Sequence, residues 1–251
     1  MPFLRKIVGT AGVVAVAAGV VNLAEITSHY PPVDAASLPR KMQIVRVMEE
    51  KAATKRFAAD GRRYIAYCDT FTARVPGALV PPAGTQISSA TPDSAPAVRA
   101  ALADVLVRFF AAPVLQLQNT LYGHTGAMFV PPPDADDVLA PGTAVGRMFR
   151  VDSTTDNSVL VRWDMPEATV GFFDSLAGYG YPWRLMTGGY HEIYAERVPG
   201  TTGTVRLWFA SAHEYAAHRD GKTIPQWVLG LHRIYARIIL RSAIASIEGR
   251  A

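Results

Sequence analysis

The stretch at 190–215, YHEIYAERVPGTTGTVRLWFASAHEY, restricts this chain more than any other. Its side chains alternate with period two on both sides of a polar turn at 199–203, which is the pattern of an antiparallel hairpin. If Val198 pairs with Thr204, Glu196 falls opposite Arg206 and Tyr194 opposite Trp208, two favourable cross-strand pairs on one face. The other face carries His191, Ile193 and Ala195 against Ser211, Phe209 and Leu207. That face is apolar with one imidazole at its end, and it needs a cover.

The natural cover is the C-terminal stretch 223–249. Thr223 is a plausible N-cap, Pro225 sits in the first turn and Gly249 is a stop. At 100° per residue, Trp227, Leu231, Ile234, Tyr235, Ile238 and Ser242 share one arc, which is expected to face the sheet. Arg233, Arg237 and Arg241 form a stripe beside it, expected outside.

Other segments supply the rest of the sheet. In 146–165 two alternating runs flank a turn near 154–157, with Phe149 and Val151 on a face with Val159, Val161 and Trp163. The run 63–74 has strand composition, with Ile65, Tyr67, Asp69 and Phe71 on one side of the alternation. A helix is predicted over 97–112 from Leu102, Val105, Leu106 and Phe109; Pro113 interrupts it, and 114–122 resumes. Ile44, Val47 and Met48 mark a surface helix within 41–59. Pro31 and Pro32 mark 29–38 as a linker, and five prolines make 75–96 a loop. The link 166–189 carries Phe172, Phe173, Tyr179, Tyr181 and Trp183, too many rings for a solvated loop. They either complete the core or form a lid over a ligand cavity.

Strand, helix, hairpin, hairpin and long helix imply an α+β fold, a curved antiparallel sheet wrapped on the C-terminal helix, with an apolar helix at the N-terminus. The expected division is a membrane anchor or signal peptide at 1–28, a linker and surface helix at 29–60, and a ligand-binding domain at 61–251. The apolar run 7–24 follows Arg5 and Lys6 and precedes Glu25. It fits an uncleaved signal anchor with the domain translocated, a cleaved signal peptide of a secreted protein, or a buried helix. The expectation is membrane association through this segment.

Composition narrows the partners. With 25 Lys and Arg against 21 Asp and Glu, and no basic run interleaved with aromatics, nucleic-acid binding is not expected. The single cysteine, Cys68, excludes an intrachain disulfide and a cysteine metal cluster.

The strand Tyr67-Cys68-Asp69-Thr70-Phe71, the segment FFAAPVLQLQN at 109–119, His191, and Leu231-His232-Arg233-Ile234 leading to Leu240-Arg241 resemble a bacterial and fungal family within the helix-grip group. That group includes START lipid-transfer domains and polyketide cyclases. The resemblance spans roughly residues 63–245; the N-terminal segment and the length of 166–189 depart from it. It implies a hollow between sheet and helix that binds a hydrophobic or amphipathic small molecule such as a lipid, polyketide or terpenoid.

Phe149, Trp163, His191, Phe209, Leu231 and Tyr235 are expected to line that hollow. Of these, His191 and Tyr235 are the catalytic candidates, an acid/base group and a hydrogen-bond donor to a developing enolate, and Phe149, Trp163, Phe209 and Leu231 the ligand-binding ones. No cofactor is expected. No metal is expected either, because His213 and His218 stand five apart where strand runs into loop and share no helical face. No GxSxG elbow, Walker loop or dinucleotide fingerprint occurs. Two functions fit: a carrier of a hydrophobic molecule, or a cofactor-independent cyclase or isomerase working through one acid/base residue.

Overall fold

A computed structural model describes residues 26, 28–52, 62–76, 95–121, 135–145, 148–198, 201 and 204–248. The apolar segment 7–24, most of the 75–96 loop, the tip of the second hairpin and Gly249 lie outside these residues. Among the described residues no helix is long and apolar enough to cross a membrane.

The fold is α+β. Five antiparallel strands, β1 (Arg63–Pro76), β2 (Phe149–Thr154), β3 (Ser158–Asp164), β4 (Gly188–Arg197) and β5 (Thr204–Ala216), form one sheet in the order β1-β5-β4-β3-β2. The hairpin register matches the expected one residue for residue: Glu196 pairs with Arg206, Tyr194 with Trp208, Ile193 with Phe209 and His191 with Ser211. In the first hairpin Phe149 pairs with Trp163 and Val151 with Val161. One irregularity redirects β1. The pairing with β5 shifts between Ile65 and Tyr67, so Tyr64 and Tyr67 both pack into the core on one face while Ile65 and Cys68 face the other. The bulge thereby aims Tyr67, Asp69 and Phe71 inward.

Both faces of the sheet are covered. On the outer face lies α1 (Gln43–Ala52), whose Ile44 and Val47 pack with Met42 and Leu38 on Leu160, Tyr190, Tyr194 and Trp208. Its first turn is held from below. Gln43 N and Ile44 N donate to the two oxygens of buried Glu192 at 2.9 and 2.7 Å, so a strand carboxylate satisfies two of the free amides at the helix start. The helix expected on the surface is therefore the second layer of the fold.

The inner face is shared by two helices, α2 (Ala95–Ala111) and α6 (Gln226–Glu248). Leu102, Val105, Leu106, Phe109 and Phe110 of α2 are buried here, and Phe109 meets Phe209 at 4.9 Å and Phe110 meets Phe149 at 4.8 Å between ring centroids. Each such ring contributes roughly 1.5–3 kcal/mol on burial. The short α3 (Pro113–Leu121) follows directly, with Pro113 at its first position.

The C-terminal helix is turned from its expected setting. It begins at Gln226, beyond Thr223, with Val228 N and Leu229 N donating to Pro225 O. Leu229, Ala236, Arg237, Ile239, Leu240, Ala243 and Ile244 are buried, whereas Trp227 is 62% exposed and Leu231 45% exposed. Arginines are the reason. Arg237 is buried, lies 4.8 Å over the Phe71 ring and donates to Tyr30 O, whereas Arg233 binds Asp69 from an exposed position, so the stripe expected outside is drawn in at Arg237 and stays at the surface at Arg233.

The link 166–189 is not a loop throughout. Residues Glu167–Gly178 form α5, between α4 (Ala135–Val138), which precedes the sheet hairpins, and α6. From α5 a chain of ring contacts runs Phe172, Phe173, Tyr181, Trp183 and Trp227 toward the start of α6.

Short segments also cover part of each sheet edge. Pro32 bridges to Phe71 on β1, with Val33 N donating to Thr70 O at 2.9 Å. Gly142 N donates to Val151 O and Val151 N to Thr143 O along β2.

Candidate functional site

Two groups of polar side chains lie inside, side by side beneath the helices. The first is His191 on β4. Its ring is surrounded by Phe209 at 5.5 Å, Phe149 at 5.7 Å, Trp163 at 6.0 Å and Phe109 at 6.4 Å between centroids. Its Nδ1 is sealed and has no hydrogen-bond partner, nor has Nε1 of Trp163. The residue nevertheless keeps accessible surface in this surround. Burial, and then the charge of His232, push its pKa down to about 3, so the imidazole is neutral at physiological pH.

Local sequence makes this box. Trp163 pairs with Gly189, and a Cβ on Gly189 would stand 3.0 Å from the indole and 2.1 Å from Ala212 O. Only glycine lets the indole lie across the neighbouring strand and reach His191.

The second group joins three elements. Asp69 on β1, His213 on β5 and His232 on α6 each place a ligand atom within 4.8 Å of the other two. Asp69 Oδ1 accepts from Arg233 Nε at 2.6 Å, and Asp69 Oδ2 faces His232 Nδ1 at 3.8 Å. His213 Nε2 is 3.0 Å from Ser211 Oγ and its Nδ1 3.3 Å from Met186 Sδ. Tyr67 stacks on the His213 ring at 4.5 Å, and the His232 ring meets it edge-on at 4.3 Å. Burial, followed by the charges of His232 and His191, holds the His213 pKa well below its ordinary value. Trp163 touches both groups, since its ring is also 5.8 Å from that of His213.

Of the six residues expected to line the hollow, Phe149, Trp163, His191 and Phe209 come together in the box. Tyr235 is half-buried, its ring 6.4 Å from that of His232. Leu231 does not point inward, because the turn of α6 that buries Arg237 carries it to the exposed side. His218 lies apart from His213, 3.7 Å from Asp174 in an ion cluster with Arg184 and Asp220. A groove of about 600 Å³ along Met148, Arg150, Arg162 and Glu167 includes none of these residues.

Sequence reasoning missed Asp69, Ser211 and His232 as a group with His213. A signal existed: a carboxylate flanked by Tyr67 and Phe71 on an inward strand face needs a buried partner.

No protein-family model, curated protein or solved structure matches this chain.

Proposed function

We propose that this is a helix-grip type protein, of the resemblance drawn from its sequence, that binds a small hydrophobic or amphipathic molecule against the His191 box. The observation that carries the reading is the pair of sealed nitrogens. An unpaired buried donor or acceptor costs about 1–3 kcal/mol, and here Trp163 supplies a donor beside an imidazole that can accept. A molecule with one hydroxyl on an apolar frame would meet both, accepting from the indole and donating to the imidazole, while its frame lay on Phe149 and Phe209. A lipid, polyketide or terpenoid has that chemistry. The partly exposed rings from Phe172 to Trp227 offer an apolar approach, and the segment 7–24 would keep the domain at a membrane.

The test is native mass spectrometry of the chain purified from its own cells. A retained small molecule that is lost from a His191→Phe variant supports the reading. A chain that carries nothing, and takes up nothing from a detergent-solubilised lipid extract, overturns it.

A second reading is an enzyme, a cyclase or isomerase acting on the same ligand. It is favoured by the Asp69, His213 and His232 group, which Trp163 joins to the box. His191→Gln separates the two readings. It leaves binding nearly intact in a carrier and removes turnover in an enzyme that uses this imidazole as acid and base.

A further inference from the structure

We infer that Asp69, His213 and His232 bind one divalent transition-metal ion, of the kind that prefers two imidazole nitrogens and one carboxylate oxygen. The site goes beyond ligand binding at His191 and does not depend on it.

Three observations carry it. The first is convergence. The ligand atoms come from β1, β5 and α6 and lie within 4.8 Å of one another, on side chains that are 3% exposed for Asp69, fully buried for His213 and 23% exposed for His232. Surface acidic clusters are common, but a buried carboxylate with two imidazoles is not a solvated face.

The second is a gap of the right width. Asp69 Oδ2 and His232 Nδ1 are 3.8 Å apart, too far for a hydrogen bond, and both are sealed without another partner. Two donors each about 2.1 Å from one zinc-sized ion can stand up to about 4.2 Å apart. An ion between them satisfies both at once.

The third is the outer support. Ligating carboxylates and imidazoles are normally held by a second partner on their other atom. Arg233 Nε takes Asp69 Oδ1 at 2.6 Å, leaving Oδ2 as a single-oxygen donor. The His213 ring is held at both nitrogens, by Ser211 Oγ 3.0 Å from Nε2 and by Met186 Sδ 3.3 Å from Nδ1, and in either neutral tautomer one of the two keeps its lone pair for an ion. The partial exposure of His232 gives an ion its way in. Two nitrogens among three ligands disfavour Mg²⁺ and Ca²⁺, which take oxygen.

The experiment uses the full chain after EDTA treatment and dialysis, with no small molecule added. Calorimetry with Zn²⁺, and visible absorption on titration with Co²⁺, are expected to show one equivalent bound per chain, with no comparable heat from Mg²⁺. His232→Ala and Asp69→Asn are each expected to weaken Zn²⁺ binding at least about 100-fold, and Ser211→Ala about 10-fold, as outer-shell changes do. Circular dichroism verifies that each variant is folded; His232→Ala, at a half-buried helix position, is the one least disturbed by truncation. His191→Phe should leave Zn²⁺ affinity unchanged, so failure of small-molecule binding and failure of metal binding remain separate results. Absence of saturable binding at one equivalent overturns the site, as does an equivalent retained at full affinity by folded His232→Ala.

Discussion

His191 and Trp163 stack with 6.0 Å between ring centroids and 22° between planes, and each holds a sealed nitrogen without a hydrogen-bond partner. Such an arrangement sets stability against function. Replacing His191 with Phe keeps a ring among Phe109, Phe149 and Phe209 and removes the unsatisfied nitrogen. The variant is expected to gain about 1–2 kcal/mol in urea unfolding, while losing whatever polar contact the ligand makes. A variant that is destabilised would show that the imidazole is satisfied in the native protein.

The same residue predicts acid sensitivity. Burial, then the charge of His232, lower the His191 pKa to about 3, against an ordinary value of 6.5. Above pH 6.5 both folded and unfolded chains carry a neutral imidazole, and the group has no effect on pH dependence. Between 6.5 and 3 the unfolded chain takes up a proton that the native chain refuses. Stability is therefore expected to fall on acidification by up to about 1.4 kcal/mol per pH unit from this group. Unfolding midpoints from pH 7 to 4 should fall less steeply in His191→Phe than in the parent; equal slopes would contradict the assignment.

Glu192 predicts a cost on the other side of the sheet. Its carboxylate accepts from Gln43 N and Ile44 N at the start of α1. Glu192→Ala leaves two amides unsatisfied and is expected to cost about 2–3 kcal/mol. Glu192→Gln, which keeps one acceptor oxygen, should lose less. Denaturant midpoints of the two variants give the comparison.

Gly189 is expected to tolerate no side chain. The Cβ of Gly189→Ala would meet Ala212 O at 2.1 Å and the Trp163 ring at 3.0 Å, and the first is backbone that cannot swing aside. A loss of about 3 kcal/mol is expected from forced overpacking. Trp fluorescence should shift with it, because the indole must leave its place over β4.

The strand pairing was legible in the sequence because period two leaves one register that keeps His191, Ile193 and Ala195 on the face of Phe209 and Leu207. The facing of α6 was not. Hydrophobic periodicity treats Arg233 and Arg237 as solvated, and nothing local reveals that Asp69, Phe71 and Tyr30 O wait for them across the fold. Helix α5 was hidden by Gly171 and Gly178 and by its many rings, which read as irregular chain. Apart from the Asp69 carboxylate on an inward strand face, the metal-ligand set was hidden for a similar reason. Spacing rules find ligands on one element, whereas residues 69, 213 and 232 meet only when β1, β5 and α6 are assembled.

Strands β1 and β2 end the sheet, and each already has a short neighbour: the stretch at Pro32 and Val33 along β1, and residues 142–145 along β2. A polypeptide arriving from outside finds these backbone groups engaged. At those stretches a strand from another copy of this chain has no open backbone to pair with. Among the described residues the exposed rings at Trp227, Tyr179 and Phe172 then offer the apolar surface where self-contact or adhesion would begin.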